Sequence, residues 1–178
     1  MTVRPARQGD LDAMVALSSG DRARRQLLEP TFWRVHADAD ERQRAWFELL
    51  LHDDAHRLLV SVDGAGGNAQ PEPAPAAEQP VGAEQATATV DGFVIARAVD
   101  APPVYDPGGR TCLVDDLVVP TLAVAERLMS AVRRWGDDNG CTQLVVVTAA
   151  ADAERRHLLG QSGLHPTSEW WTGPIQAP

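Results

Sequence analysis

Two strand-like runs flank one amphipathic stretch, and this arrangement constrains the fold more than any other feature of the chain. Thr111-Cys112-Leu113-Val114-Asp115-Asp116-Leu117-Val118-Val119 reads as a strand stopped by Pro120. Gln143-Leu144-Val145-Val146-Val147-Thr148 reads as an apolar strand of the fully buried kind. Between them Ala125, Leu128, Met129, Val132 and Trp135 recur at three- and four-residue spacing. That spacing predicts an amphipathic helix, ending at Asn139-Gly140. A strand, helix, strand crossover implies a locally parallel pair.

Arg57-Leu58-Leu59-Val60-Ser61-Val62 and Val90-Asp91-Gly92-Phe93-Val94-Ile95-Ala96-Arg97 also read as strands. Residues 64–89 separate them and consist mainly of Ala, Gly, Pro, Gln and Glu, with one valine and no aromatic. Such a segment cannot bury enough apolar surface to offset its ordering entropy. It is expected to be a flexible insertion at the tip of an antiparallel hairpin. Nearer the N-terminus, Asp10 predicts the cap of a helix carrying Leu11, Met14 and Val15. A second helix is expected after Asp38 and Asp40, with Trp46, Leu49 and Leu50 on one face. Asp152 predicts the cap of a short helix ending near Gly163, and a last strand is expected through Ser168-Glu169-Trp170-Trp171-Thr172. The whole predicts a single α/β (α+β) domain over residues 1–178, with a mixed central sheet of about six or seven strands and flanking helices.

Composition narrows the function classes. The formal charge is −9, and all 16 basic residues are arginine. An acidic surface argues against nucleic-acid binding, where positive charge supplies most of the affinity. It suits a cationic small-molecule partner, and solubility alone also accounts for it. No apolar run approaches the ~20 residues that span a bilayer, and Met1 to Arg7 lacks a signal-peptide pattern. A cytoplasmic protein with no membrane contact is the expectation. Cys112 and Cys141 are too few for a disulfide framework, and His52, His56, His157 and His165 lack ligand spacing. Free, packed thiols and no metal are expected. Trp170 and Trp171 alternate across the expected last strand, so one faces outward as a candidate homodimer contact.

The element order resembles that of the GNAT N-acetyltransferase superfamily. Val3-Arg4-Pro5-Ala6-Arg7-Gln8-Gly9-Asp10-Leu11 is similar to the family's opening strand and helix cap, Val90-Asp91-Gly92-Phe93-Val94 to its third strand and Asp116-Leu117-Val118-Val119 to its fourth. Leu159-Gly160-Gln161-Ser162-Gly163-Leu164 resembles the end of its last helix. The resemblance implies acetyl-CoA as cofactor, lying in a split between the strands that end at Val119 and Thr148. Leu117, Val119, Thr121, Arg127 and Asp152 are then the cofactor-side residues. It implies direct acyl transfer to the amine of a small molecule or peptide. Two departures stand out. The family's pyrophosphate loop, Arg/Gln-x-x-Gly-x-Gly/Ala, is replaced by the glycine-free Val119-Pro120-Thr121-Leu122-Ala123-Val124-Ala125-Glu126-Arg127. Leu159 stands where many members carry a tyrosine general acid, and leucine cannot protonate a thiolate. An alternative, placed after the transferase, rests on these departures: a catalytically inactive relative that binds a ligand or protein.

The remaining candidates each carry two readings. Asp115 and Asp116 interrupt an apolar strand, and alternation sends them to opposite faces. A desolvated carboxylate there could accept a proton from a substrate amine, or simply pair with an arginine. Tyr105, in the Pro- and Gly-rich turn Ala101 to Gly109, either orients substrate in place of the missing acid or packs the turn. Phe32, Trp33 and Arg34 lie between the first two helices and either line an acceptor pocket or belong to the core. Arg127, Arg133, Arg134, Arg155 and Arg156 either meet phosphates or form solvated helix faces.

Overall fold

The computed structural model describes residues 2–63, 89–169 and 171–172. Its elements run β1 (Thr2–Pro5), a 3-10 turn (Gln8–Asp10), α1 (Leu11–Leu28), α2 (Ala39–Leu50), β2 (His56–Asp63), β3 (Thr89–Val99), β4 (Arg110–Val118), α3 (Leu122–Asp138), β5 (Cys141–Val146) and α4 (Ala153–Gln161). The sheet order is β1-β2-β3-β4-β5. The first three pairings are antiparallel, and the α3 crossover makes β4 and β5 parallel. This is a mixed α/β domain with five strands among the described residues, rather than six or seven. Ser168 and Glu169 are irregular, as are Trp171 and Thr172, and Trp170 lies outside the described residues. Trp and Thr are strand formers, but strand propensity acts only where a neighbouring strand and a covered face are there to pack against. With no described strand beyond it, β5 is an edge. Val145 is accordingly 36% exposed, where full burial was the expectation.

The hairpin is as the sequence suggests: β2 and β3 pair antiparallel from His56↔Arg97 to Asp63↔Thr89. The expected insertion lies outside the described residues, apart from Thr89, which already belongs to β3.

Both faces of the sheet are covered. α1 and α2 pack Leu11, Met14, Phe47 and Leu50 against Val60, Phe93, Ile95 and Val118. On the other face Leu128, Met129 and Val132 of α3 and Leu159 of α4 meet Leu59, Val94, Val114 and Leu117. Each fully buried side chain of this size contributes about 1.5–3 kcal/mol. Phe47 and Phe93 meet edge to face, with centroids 5.5 Å apart. The buried face of α2 is Phe47 and Leu50. Leu49 is 71% exposed, so the predicted face is turned by about one position. Gly92 lets α3 press on β3, since a Cβ there would lie 2.7 Å from Val124 Cγ1 and 3.0 Å from the Val118 carbonyl. Thr121 Oγ1 caps α3 by accepting from Val124 N at 3.3 Å. Asp10 caps α1 only indirectly. Its carboxylate accepts from Arg7 N at 2.7 Å and from both Arg4 terminal nitrogens at 2.7 and 2.8 Å. That pairing holds Asp10 below the usual carboxylate range.

Candidate functional site

The site is built on β4, which carries chemistry on both sides of a bulge. Ile95 pairs with Asp116 and Ala96 with Val114, so Asp115 is the extra residue of the ladder. Strict alternation sends Asp115 and Asp116 to opposite faces, but the bulge cancels that alternation. Both aspartates line one cleft of about 320 Å³, together with Phe32, Trp33, Arg34 and Trp46. This volume lies within the range of small-ligand sites.

The cleft wall combines aromatic and charged side chains. Phe32 and Trp33 meet edge to face at 4.9 Å, and the Arg25 guanidinium lies 5.0 Å from the Trp33 ring centre. Phe32 and Trp46 are 47% and 37% exposed, which places them in a surface site rather than the core. Arg25 donates to Asp116 Oδ1 at 2.8 Å. Asp115 lies 3.0 Å from Arg97 Nε and 3.9 Å from His56 Nε2. Burial pushes the Asp116 carboxyl above its ordinary pKa, against the opposing pull of Arg25. Tyr105 is 72% exposed in its turn, where its N–H donates to the Pro102 carbonyl at 2.9 Å. It does not line this cleft, and it does not pack the turn.

The opposite edge of β4 faces β5. Their pairing runs from Arg110↔Cys141 to Val114↔Val146, and β4 continues to Val118 beyond the last pair. This is the split in which the sequence resemblance places acetyl-CoA. Arg155 of α4 stands in it, with its side chain 8% exposed. One terminal nitrogen donates to the Leu117 carbonyl, and the other donates to Asp21 Oδ1 of α1 at 2.8 Å. Because α1 and α4 cover opposite faces, this side chain links them through the gap in the sheet. Asp21 also takes Arg25 Nε at 2.6 Å and Arg24 at 3.0 Å. Arg24 in turn reaches Asp152 Oδ2 at 2.6 Å, while Asp152 Oδ1 caps α4 by accepting from Arg155 N at 2.9 Å.

These contacts test the fit of acetyl-CoA, and the residues present do not fit it. In the split, the Leu117 carbonyl already accepts from Arg155. Asp152 is committed to the α4 cap and Arg24. Thr121 caps its own helix, and the β4–α3 connection has no glycine to let backbone approach a pyrophosphate. Val119 is half-buried against the α3 core. Arg127 turns to the other side of α3, 3.8 Å from Asp91 and 3.5 Å from Ser61. The structure thus unites Asp115, Asp116, Phe32, Trp33 and Arg34, and separates them from Tyr105 and Arg127. Arg134 and Arg156 bond locally on exposed helix faces, and exposed Arg133 of α3 donates to the Ser162 carbonyl just past α4 at 2.8 Å. Asp21 and Arg25 escaped the sequence reading, although their i, i+4 spacing signals an ion pair.

Cys112 is buried and its thiol is pushed up to about 12 by that burial, so it has no nucleophilic role near neutral pH. Among the described residues no group of three His, Cys, Asp or Glu could hold a metal ion, and no helix is long and apolar enough to cross a membrane.

No protein family matches the sequence, and no curated protein does. Solved structures do match. The tetramutant of BH1408 protein from Bacillus halodurans has a TM-score of 0.75 at 12% identity, over 98% of this chain and 100% of that one. Aminoglycoside 6'-N-acetyltransferase AAC(6')-IG from Acinetobacter haemolyticus has a TM-score of 0.66 at 11% identity, over 100% of both chains. AAC(6')-Iy in complex with CoA has a TM-score of 0.59 at 16% identity, over 99% of this chain and 100% of that one. At such identities the likeness establishes the fold alone. The fold is GNAT-like, shared with acetyltransferases.

Proposed function

We propose that this chain is a binding module of the acetyltransferase fold that holds a small organic amine between α1, α2 and β4. The observation that carries the reading is the bulge at Asp115, which brings two carboxylates to one aromatic-walled cleft. An ammonium group meets acceptor oxygens at Asp115 and Asp116, and its carbon skeleton lies on Phe32, Trp33 and Trp46. Two of the similar structures are aminoglycoside N-acetyltransferases, so aminoglycosides head a panel completed by polyamines and aromatic amines. Calorimetric titration tests the reading. Binding of a panel member, weakened at least about tenfold by Asp115→Asn and by Trp33→Ala, supports it. Silence across the panel, or affinity indifferent to both substitutions, sinks it.

A second reading is direct N-acetyl transfer from acetyl-CoA to the bound amine. It draws on the similar structure held in complex with CoA and on Asp116, whose raised pKa suits a proton acceptor. Titration with acetyl-CoA separates the two. Micromolar binding, followed by amine-dependent release of the CoA thiol, would establish the transferase and displace the binding module.

A further inference from the structure

We infer that Arg155 is the residue that closes the split between β4 and β5 to an acyl-CoA thioester arm, acting as a built-in side chain where a cofactor would otherwise lie. Three observations carry this. First, β4 and β5 part company after Val114 and Val146, so the sheet has a gap that something must fill. An empty gap of that kind would leave strand carbonyls unpaired in the interior. Second, the Arg155 guanidinium lies in the gap and supplies the missing donor to Leu117 O. Third, it is held from both ends. Its own backbone N–H donates to the Asp152 cap, and its head is anchored on Asp21 across the sheet.

Charge and geometry make this a stable plug. Asp21 gathers Arg24, Arg25 and Arg155, and Arg25 hands on to Asp116, so each buried charge has an opposite neighbour. Planar guanidinium forks suit such multidentate pairing, whereas a lysine could not serve two acceptors in fixed directions. Asp116 belongs to the amine cleft and to the plug through Arg25, so occupancy of the cleft and integrity of the plug share one residue.

The test is gain of binding. Full-length protein is titrated with acetyl-CoA and with pantetheine, comparing the natural chain, Arg155→Ala, Asp21→Asn and, as a control, the exposed neighbour Arg156→Ala. Arg155→Ala leaves Asp21 with two arginines and so does not strand it. Asp21→Asn keeps the arginine but loosens its anchor, which guards against an alanine variant that fails to fold. The expected result is no measurable affinity in the natural chain and the control, and a gain of at least about tenfold in Arg155→Ala, smaller in Asp21→Asn. Micromolar binding by the natural chain would overturn the inference. So would a folded Arg155→Ala or Asp21→Asn protein that gains nothing, or an equal gain in Arg156→Ala. Because the readout is acyl-CoA affinity rather than amine affinity, failure here leaves the amine cleft standing, and the reverse also holds.

Discussion

Two regions along β4, the face under α1 and α2 and the edge toward β5, make an instructive pair. On the α1–α2 side a bulge at Asp115 opens the structure and presents two carboxylates to a cleft. A few residues further along, where β4 leaves β5, Arg155 closes the structure with an ion network. Both regions carry buried charge, yet the arrangements differ in kind. In the cleft, charge borders a space, while in the split it replaces the space. One strand can thus border an open cleft at one point and a filled split at another, and a few side chains decide between these outcomes.

The largest effects should come from the closed side. Asp21→Ala removes the carboxylate shared by three arginines and is expected to cost about 3–5 kcal/mol, read from denaturant unfolding. Asp115→Ala, on the open and more solvated side, should cost about 1 kcal/mol or less. If the two costs came out equal, the contrast between a filled and an open region would fail. Gly92→Ala ranks next. Its new Cβ meets Val124 and the Val118 carbonyl, so about 1–3 kcal/mol of overpacking is expected in the same unfolding measurement.

Opposite pH signatures sharpen the comparison further. Asp10 has its folded pKa lowered, chiefly by the hydrogen bonds from Arg4. Its stabilisation is therefore present above the unfolded value of about 3.9 and is lost as pH falls through the folded value. Asp116 has its folded pKa raised by burial. Its contribution is full below the unfolded value and is lost as pH rises through the folded value. Between pH 7 and pH 4, the stability of the natural chain relative to Asp116→Asn should therefore rise. Relative to Asp10→Asn it should hold across that range and fall only in stronger acid. The smallest effect concerns thiols. A disulfide reagent at pH 8 should leave Cys112 untouched until the chain unfolds, while the half-buried Cys141 reacts slowly.

Much of this was legible beforehand. The crossover from β4 through α3 to β5 follows from apolar spacing and the Asn139-Gly140 stop, and Gly140 indeed takes a left-handed conformation at φ 72°. The Asp152 cap also shows in the residues, whereas the Thr121 cap comes from the structure. The place of Phe32, Trp33 and Arg34 between two helices leaves pocket and core both open, and the structure puts them in the wall of a cleft. The last strand and the buried face of α2 were misjudged, because single aromatics and leucines do not reveal which neighbour will cover them.

What the sequence determined by itself is local: where strands and helices begin and end, which runs must be covered, and that the connection from β4 to α3 holds no glycine. Three things were left to the tertiary structure. It set the bulge that brings Asp115 and Asp116 together, the exposure of Tyr105, and the passage of Arg155 across the sheet to Asp21, 134 positions away. Periodicity reports which face a residue takes only while the ladder is regular, and an ion pair across the chain has no local spacing to announce it.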